Sequence, residues 1–178
     1  MRFLGFLIIL MAGGLTLIEF SRLKMYGILS DSEVDMNIDK VVELLDLGAN
    51  KEDLRALLRE TAKTESNYGK TPDFTPDSGK GIFQIDKIGF DEAINQPSRI
   101  KNQVLKIGYD LDRLDYSDKR VTQDALLNTI LARLYYYKKP KIPSTREGRA
   151  AFWKKYYNSI LGAGTEQAYL ERTEALYG

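Results

Sequence analysis

Apolar positions recur along most of this chain with the period of an α-helix. Val41, Val42, Leu44, Leu45 and Leu47 form a short apolar face that Gly48 stops. Asn50 is placed to cap a second helix, with Asp53 in its first turn and Leu54, Leu57, Leu58 and Ala62 along it. Ile100, Val104, Ile107, Leu111 and Leu114 follow one another at alternating helical spacings, which predicts a single helix through that span. Thr122, ahead of Leu126, Leu127, Ile130, Leu131 and Leu134, predicts another, ended by Pro140. Ser144 and Glu147 have the spacing of a capping box for a helix carrying Trp153 and Tyr157. Thr165 opens a last helix with Tyr169, Leu170 and Leu176. The expected fold class is mainly α.

Two stretches break the period. From Phe3 to Ile18 the chain is apolar or small apart from Thr16. That is longer than the apolar core of a signal peptide and shorter than the roughly 20 residues of a spanning helix. No small-residue cleavage site follows it, so residues 1–25 read as a signal anchor or transmembrane helix. A cleaved signal and a buried apolar helix are the alternatives. Arg2 on one side and Arg22 and Lys24 on the other leave the orientation open. Residues 26–37, with the polar run Ser30 to Asn37, read as a linker, and 38–178 as the folded domain. The second stretch, 67–86, holds Gly69, Gly79, Gly81, Pro72 and Pro76 without helical period. It reads as a loop or small hairpin inserted among helices and anchored by the apolar run Gly81-Ile82-Phe83-Gln84-Ile85.

Composition narrows the chemistry. The 178 residues carry 26 Lys plus Arg against 25 Asp plus Glu, without the basic excess of a nucleic-acid binder. The chain contains no His and no Cys. Catalysis through a Ser-His-Asp triad, a thiol nucleophile or a His/Cys metal site is therefore excluded. The acidic residues lack the spacing of a Ca²⁺ loop, and no cofactor is implied. Acid–base work, if any, falls to carboxylates, Lys, Tyr or water.

One carboxylate is placed to do it. On the helix over 51–66, Glu65 lies seven positions after Leu58, within about 20° of it on the helical wheel, where the irregular loop begins. Glu60 lies about 200° from Leu58, which predicts that it faces water. A carboxyl against apolar surface at a helix C-terminus has a raised pKa and can serve as a general acid. Pairing with Lys63 or Lys70 is the structural alternative. Tyr135, Tyr136 and Tyr137 span too wide an arc for one core, so at least one must reach the surface or a groove. Trp153 is expected in the core, and the basic run Lys138-Lys139-Lys141 at a solvated helix end or against an anionic polymer.

The segment Thr64-Glu65-Ser66-Asn67-Tyr68-Gly69, followed by Ser78-Gly79-Lys80-Gly81-Ile82-Phe83-Gln84-Ile85-Asp86, resembles the lytic transglycosylases and goose-type lysozymes. Those families share the lysozyme-like α+β fold. They place a catalytic Glu-Ser pair at a helix end, then a Gly-rich loop and a Gly-Leu-Met-Gln-type strand. A third family segment, of Ala-Tyr-Asn-Ala-Gly type, is matched loosely by Tyr156-Tyr157-Asn158 and the later Gly162-Ala163-Gly164. The stretch from Trp153 to Thr165 is also similar to phage wall-degrading proteins.

The resemblance implies a peptidoglycan lytic transglycosylase. Glu65 would protonate the bond between N-acetylmuramic acid and N-acetylglucosamine, then remove the proton of the muramyl 6-hydroxyl, leaving a 1,6-anhydro end. Ser66 would hold saccharide and Glu65 in register. Gly81 and Gln84 would line the groove, Gly81 because a sugar approaches the main chain closely. Tyr157 would hydrogen-bond Glu65, and Asn158 would bind substrate. A hydrolytic lysozyme would need a second carboxylate, for which Asp73 and Asp77 in the loop are candidates; both follow Pro, and the plainer reading of each is turn formation. The implied partners are glycan strands, a membrane through the N-terminal segment, and proteins of a virion or envelope complex. The expected location is a membrane, with the domain facing the periplasm or wall, or export after signal cleavage. A non-catalytic wall-binding protein or a small helical adaptor remain the readings from other classes.

Overall fold

A computed structural model describes residues 26–28, 30–71, 79–158 and 163–178. The expected N-terminal apolar helix, within 1–25, and the candidates Asp73 and Asp77 lie outside the described residues. Among the described residues the architecture is mainly helical, and no helix is long and apolar enough to cross a membrane.

Eight α-helices of the described chain pack around one of their number. They are α1 (Asp31–Leu44), α2 (Lys51–Ser66), α3 (Lys87–Ile94), α4 (Ser98–Ile107), α5 (Lys119–Gln123), α6 (Ala125–Tyr137), α7 (Arg146–Tyr156) and α8 (Glu166–Thr173). The central one is α6. Its residues Leu127 to Leu134 are all buried, and α1, α2, α3 and α5 lie against it. A helix apolar on every side must be enclosed, and this one is. The C-terminal pair α7 and α8 packs together and onto α2, with a smaller core of Ala150, Trp153 and Tyr169.

The helix boundaries follow local chemistry, with four shifts from the sequence reading. The stretch expected as a linker is structured: Tyr26 and Ile28 are buried, and α1 begins at Asp31. Val34 and Ile38 extend the apolar face of Val41 and Val42 backwards by two turns, so the polar residues between them are the helix's wet side. The helix expected from Ile100 through Leu114 ends at Ile107. Gly108 takes a left-handed φ of 108°, and the apolar spacing continues only as a 3₁₀ turn, Leu111–Arg113. Asp124 rather than Thr122 caps α6, accepting from Leu127 N at 3.0 Å, and Thr145 rather than Ser144 caps α7. Asn50 and Thr165 cap α2 and α8 through Asp53 N and Ala168 N.

The irregular segment is held from two sides. Lys80 and Ile85 exchange backbone hydrogen bonds of 2.9 and 3.0 Å and close a tight turn, Gly81 to Gln84. Asn128, fully buried on α6, accepts from Phe83 N at 2.9 Å and donates to the carbonyls of Lys80 and Val121. On the other side, Ser66 Oγ donates to Ile82 O at 2.7 Å and accepts from Gly69 N at 2.8 Å. The end of α2 and the turn are thereby fastened into one unit.

Candidate active site

Glu65 sits at the last turn of α2, where that helix meets α7 and the 81–84 turn. The residue as a whole is half-buried with its carboxyl turned inward, and Oε1 accepts a hydrogen bond of 2.8 Å from Trp153 Nε1. Burial pushes its pKa up to about 7; the Trp153 hydrogen bond and the charge of Arg172 act against that rise, and Asp86 adds to it. Trp153 is itself buried, its ring 5.2 Å from that of Tyr169, so the donor is fixed in place.

Cavities open on both sides of this carboxyl. One, of about 300 Å³, is walled by Gln84, Ile85, Asp86, Ile88, Gly89, Tyr135, Tyr157 and Asn158. The other, of about 550 Å³, is walled by Lys63, Thr64, Asn67, Thr71 and Arg172. Glu65 is common to both, so its side chain stands between two cavities. Ile88, 71% exposed, forms an apolar edge of the first cavity.

Backbone strain gathers at the same place. Among the described residues the non-glycine positions with positive φ are Asn67 (50°), Tyr68 (57°) and Gln84 (47°). The first two follow the Glu65-Ser66 pair, and the third closes the facing turn. Such conformations persist only where surrounding contacts enforce them, and they concentrate at functional sites. Here the enforcing contacts are the Ser66 bonds, the Gln84 amide donating to Gly81 O at 2.7 Å, and Tyr68 donating to Asp35 at 3.1 Å.

The structure gathers most of the sequence candidates, in altered roles. Gln84, Tyr157 and Asn158 share the first cavity with Glu65. Tyr157 does not hydrogen-bond Glu65, however: its hydroxyl donates to Phe83 O at 2.6 Å, and Trp153 is the group that reaches the acid. Asn158 Oδ1 accepts from Lys154 Nζ at 3.0 Å. Ser66 is fully buried with both faces of its hydroxyl engaged, so it is a latch beneath the cleft. Gly81 is required from within. Its φ is 72°, and a Cβ there would lie 2.3 Å from the Asn128 side chain, so Asn128, not a ligand, fills the space. Of the three tyrosines, Tyr136 is buried, Tyr135 lines the Glu65 cavity, and Tyr137 lines a separate one.

Glu60 is the largest departure from the wheel. It is 0% exposed instead of facing water. Arg149 grips both its oxygens at 2.7 Å, Tyr169 donates at 2.6 Å, and the Tyr177 hydroxyl donates as well. The reason is tertiary: α7 and α8 cover the side of α2 that α1 and α6 leave open. Three further residues escaped the sequence reading. Asn128 could have been found as the lone amide in the run Leu126 to Leu131. Asp86 caps α3 through Gly89 N at 2.6 Å and is a second carboxylate in the Glu65 cavity. Arg172 reaches Thr64 O at 2.8 Å from α8. Among the described residues no group of three or more acidic side chains is arranged to hold a metal ion. No protein-family model matches this chain, and neither the characterised proteins nor the solved structures include a match to it.

Proposed function

We propose that the protein cleaves the β-1,4 bond between N-acetylmuramic acid and N-acetylglucosamine in peptidoglycan as a lytic transglycosylase, on a lysozyme-like arrangement of helices. The observation that carries this reading is Glu65: a carboxyl with a pKa near 7, fixed by one donor, between two cavities. Near neutral pH a large fraction of it is protonated, as a general acid requires. Glu65 passes its proton to the leaving oxygen of N-acetylglucosamine as the C1–O bond breaks and the ring gains oxocarbenium character. The resulting carboxylate then accepts the proton of the muramyl 6-hydroxyl while that oxygen bonds to C1. The proton returns to Glu65, and no water is consumed. The apolar stretch Phe3 to Ile18 supports placing this work at a membrane facing the wall, in a phage or in an envelope-spanning machine.

A second reading, a hydrolytic lysozyme, is favoured by Asp86, whose carboxylate shares the cavity and could orient a water. Mass spectrometry of the muropeptides released from purified sacculi separates the two. Anhydro ends, lighter by one water and absent with Glu65→Gln, support the transglycosylase. Reducing ends that require both Glu65 and Asp86 support the lysozyme. Release that persists in Glu65→Gln would sink both.

A further inference from the structure

The helix at the centre of the fold carries a second buried cation whose surroundings differ from those of Arg149. Arg133, on α6, is 1% exposed, and its Nε has no hydrogen-bond partner. Among the described residues no carboxylate lies within ion-pair distance of it. Its guanidinium stands 6.0 Å from the centre of the Tyr137 ring, and Asp46 acts on it only from a distance. Arg149 shows what this chain supplies when a buried arginine is purely structural: a forked carboxylate, a backbone carbonyl and a tyrosine hydroxyl. Arg133 has none of these. Buried charge without a partner is unfavourable unless a counter-charge arrives, and desolvation already pushes the Arg133 pKa down to about 10.

Arg133 also lines a cavity of about 300 Å³, together with the buried Tyr136. Lys139 and Lys141 line it too, with the Tyr137 ring and Ile142 as apolar wall. No Asp or Glu is among its lining residues. Asn50 and the two residues before it, at the electropositive start of α2, complete the rim. We propose that this cavity binds a small organic anion, a carboxylate or phosphate group on a compact apolar or sugar-like body, with the Arg133 guanidinium as its anchor. A planar fork suits both oxyanions, Lys141 supplies the outer charge while Lys139 is already paired to Glu92 at 2.6 Å, and the aromatic wall takes the body of the ligand. The site is separate from the Glu65 cleft and does not depend on the reaction assigned to it.

The test is thermal unfolding of the full chain in sodium phosphate, sodium acetate and sodium chloride at equal ionic strength. The expected result is a saturable rise in melting temperature with phosphate or acetate over chloride, and the better of the two identifies the preferred group. Arg133→Met should raise the anion concentration needed for that rise about tenfold or more, the worth of a charged hydrogen bond. An equal rise in Arg133→Met would mean general salt stabilisation and overturn the site. So would wild-type protein that responds to neither ion beyond chloride. Should Arg133→Met fail to fold, amide spectra of wild-type protein titrated with phosphate decide: shifts at Gly48 and Ala49, reduced in the exposed variant Lys141→Ala, support the site, and their absence rejects it.

Discussion

Glu60 and Glu65 stand five residues apart on one helix and have opposite surroundings. Glu60 is closed on every side, its oxygens shared among Arg149, Tyr169 and Tyr177. Glu65 has a single protein donor and an open cavity on either side. Burial alone therefore does not make a carboxyl reactive. A buried acid with a full set of cationic and hydroxyl partners ties helices together. One that is desolvated and left without a paired cation keeps its proton toward neutral pH, as the proposed general acid requires. The five-residue offset turns the two carboxyls to different sides of α2, one under α7 and α8 and one toward the cleft.

The largest expected effect falls on the open carboxyl. Glu65→Gln should reduce muropeptide release by about 10²- to 10⁴-fold, the range of a lost general acid. It should leave the fold intact. Because the folded-state pKa is raised from 4.5 to about 7, the wild type should be most stable below pH 4.5 with respect to this group and lose that stability as pH rises through 7. Thermal melts of the variant should lack this fall. A variant less stable than wild type at pH 8 would mean that Glu65 is a structural anion after all, and the contrast with Glu60 would collapse.

The closed carboxyl should behave in the reverse manner. Glu60→Gln strands Arg149 without its counter-ion and should cost about 3–5 kcal/mol in urea unfolding. Replacing both partners by Met should cost much less, since no charge is left unpaired. Turnover per folded molecule should stay near wild type in both cases.

Asn128→Ala should come next, at about 1–3 kcal/mol, because Phe83 N loses its partner and the carbonyls of Lys80 and Val121 lose the Asn128 amide donor. Hydrogen exchange at Phe83 should accelerate before the helices respond. That outcome would establish the 81–84 turn as a unit braced from α6. The smallest effect is the most diagnostic. Trp153→Phe removes the N–H that lowers the Glu65 pKa, so the high-pH limb of the rate profile should move upward by about 0.4 to 1 pH unit. A limb that stays put would mean that this hydrogen bond does not tune the acid.

The helical character was legible because most of these helices bury one stripe, and stripes leave a period in the sequence. Asn50 and Thr165 were legible as caps because capping is settled within four residues. The place of Glu65 at the join of helix and loop was legible for the same reason: wheel geometry over seven residues is local. Where the burial of a side chain moved, as at Glu60, the deciding contact came from far along the chain, whereas the helix end at Gly108 and the caps at Asp124 and Thr145 were settled locally. Gly108 ended a helix whose apolar spacing ran on, since backbone conformation at a glycine overrides a pattern that packing can satisfy with a 3₁₀ turn.

What the sequence determined by itself is a mainly helical chain without imidazole or thiol chemistry, with one carboxyl at the mouth of an irregular loop. Tertiary structure decided the rest. Glu60 became buried because α7 and α8 arrive from about 90 to 110 residues away and bring Arg149 and Tyr169 with them. Trp153, not Tyr157, holds Glu65, because the packing of α7 on α8 sets which side of that helix faces the acid. Arg133 stands in a cavity because the loop before α2 and the end of α6 meet there. Helical period reports how much of a surface is apolar. It carries no information on which other segment covers that surface, and the covering segment determines whether a buried charge is paired, as at Glu60, or left without a counter-charge, as at Arg133.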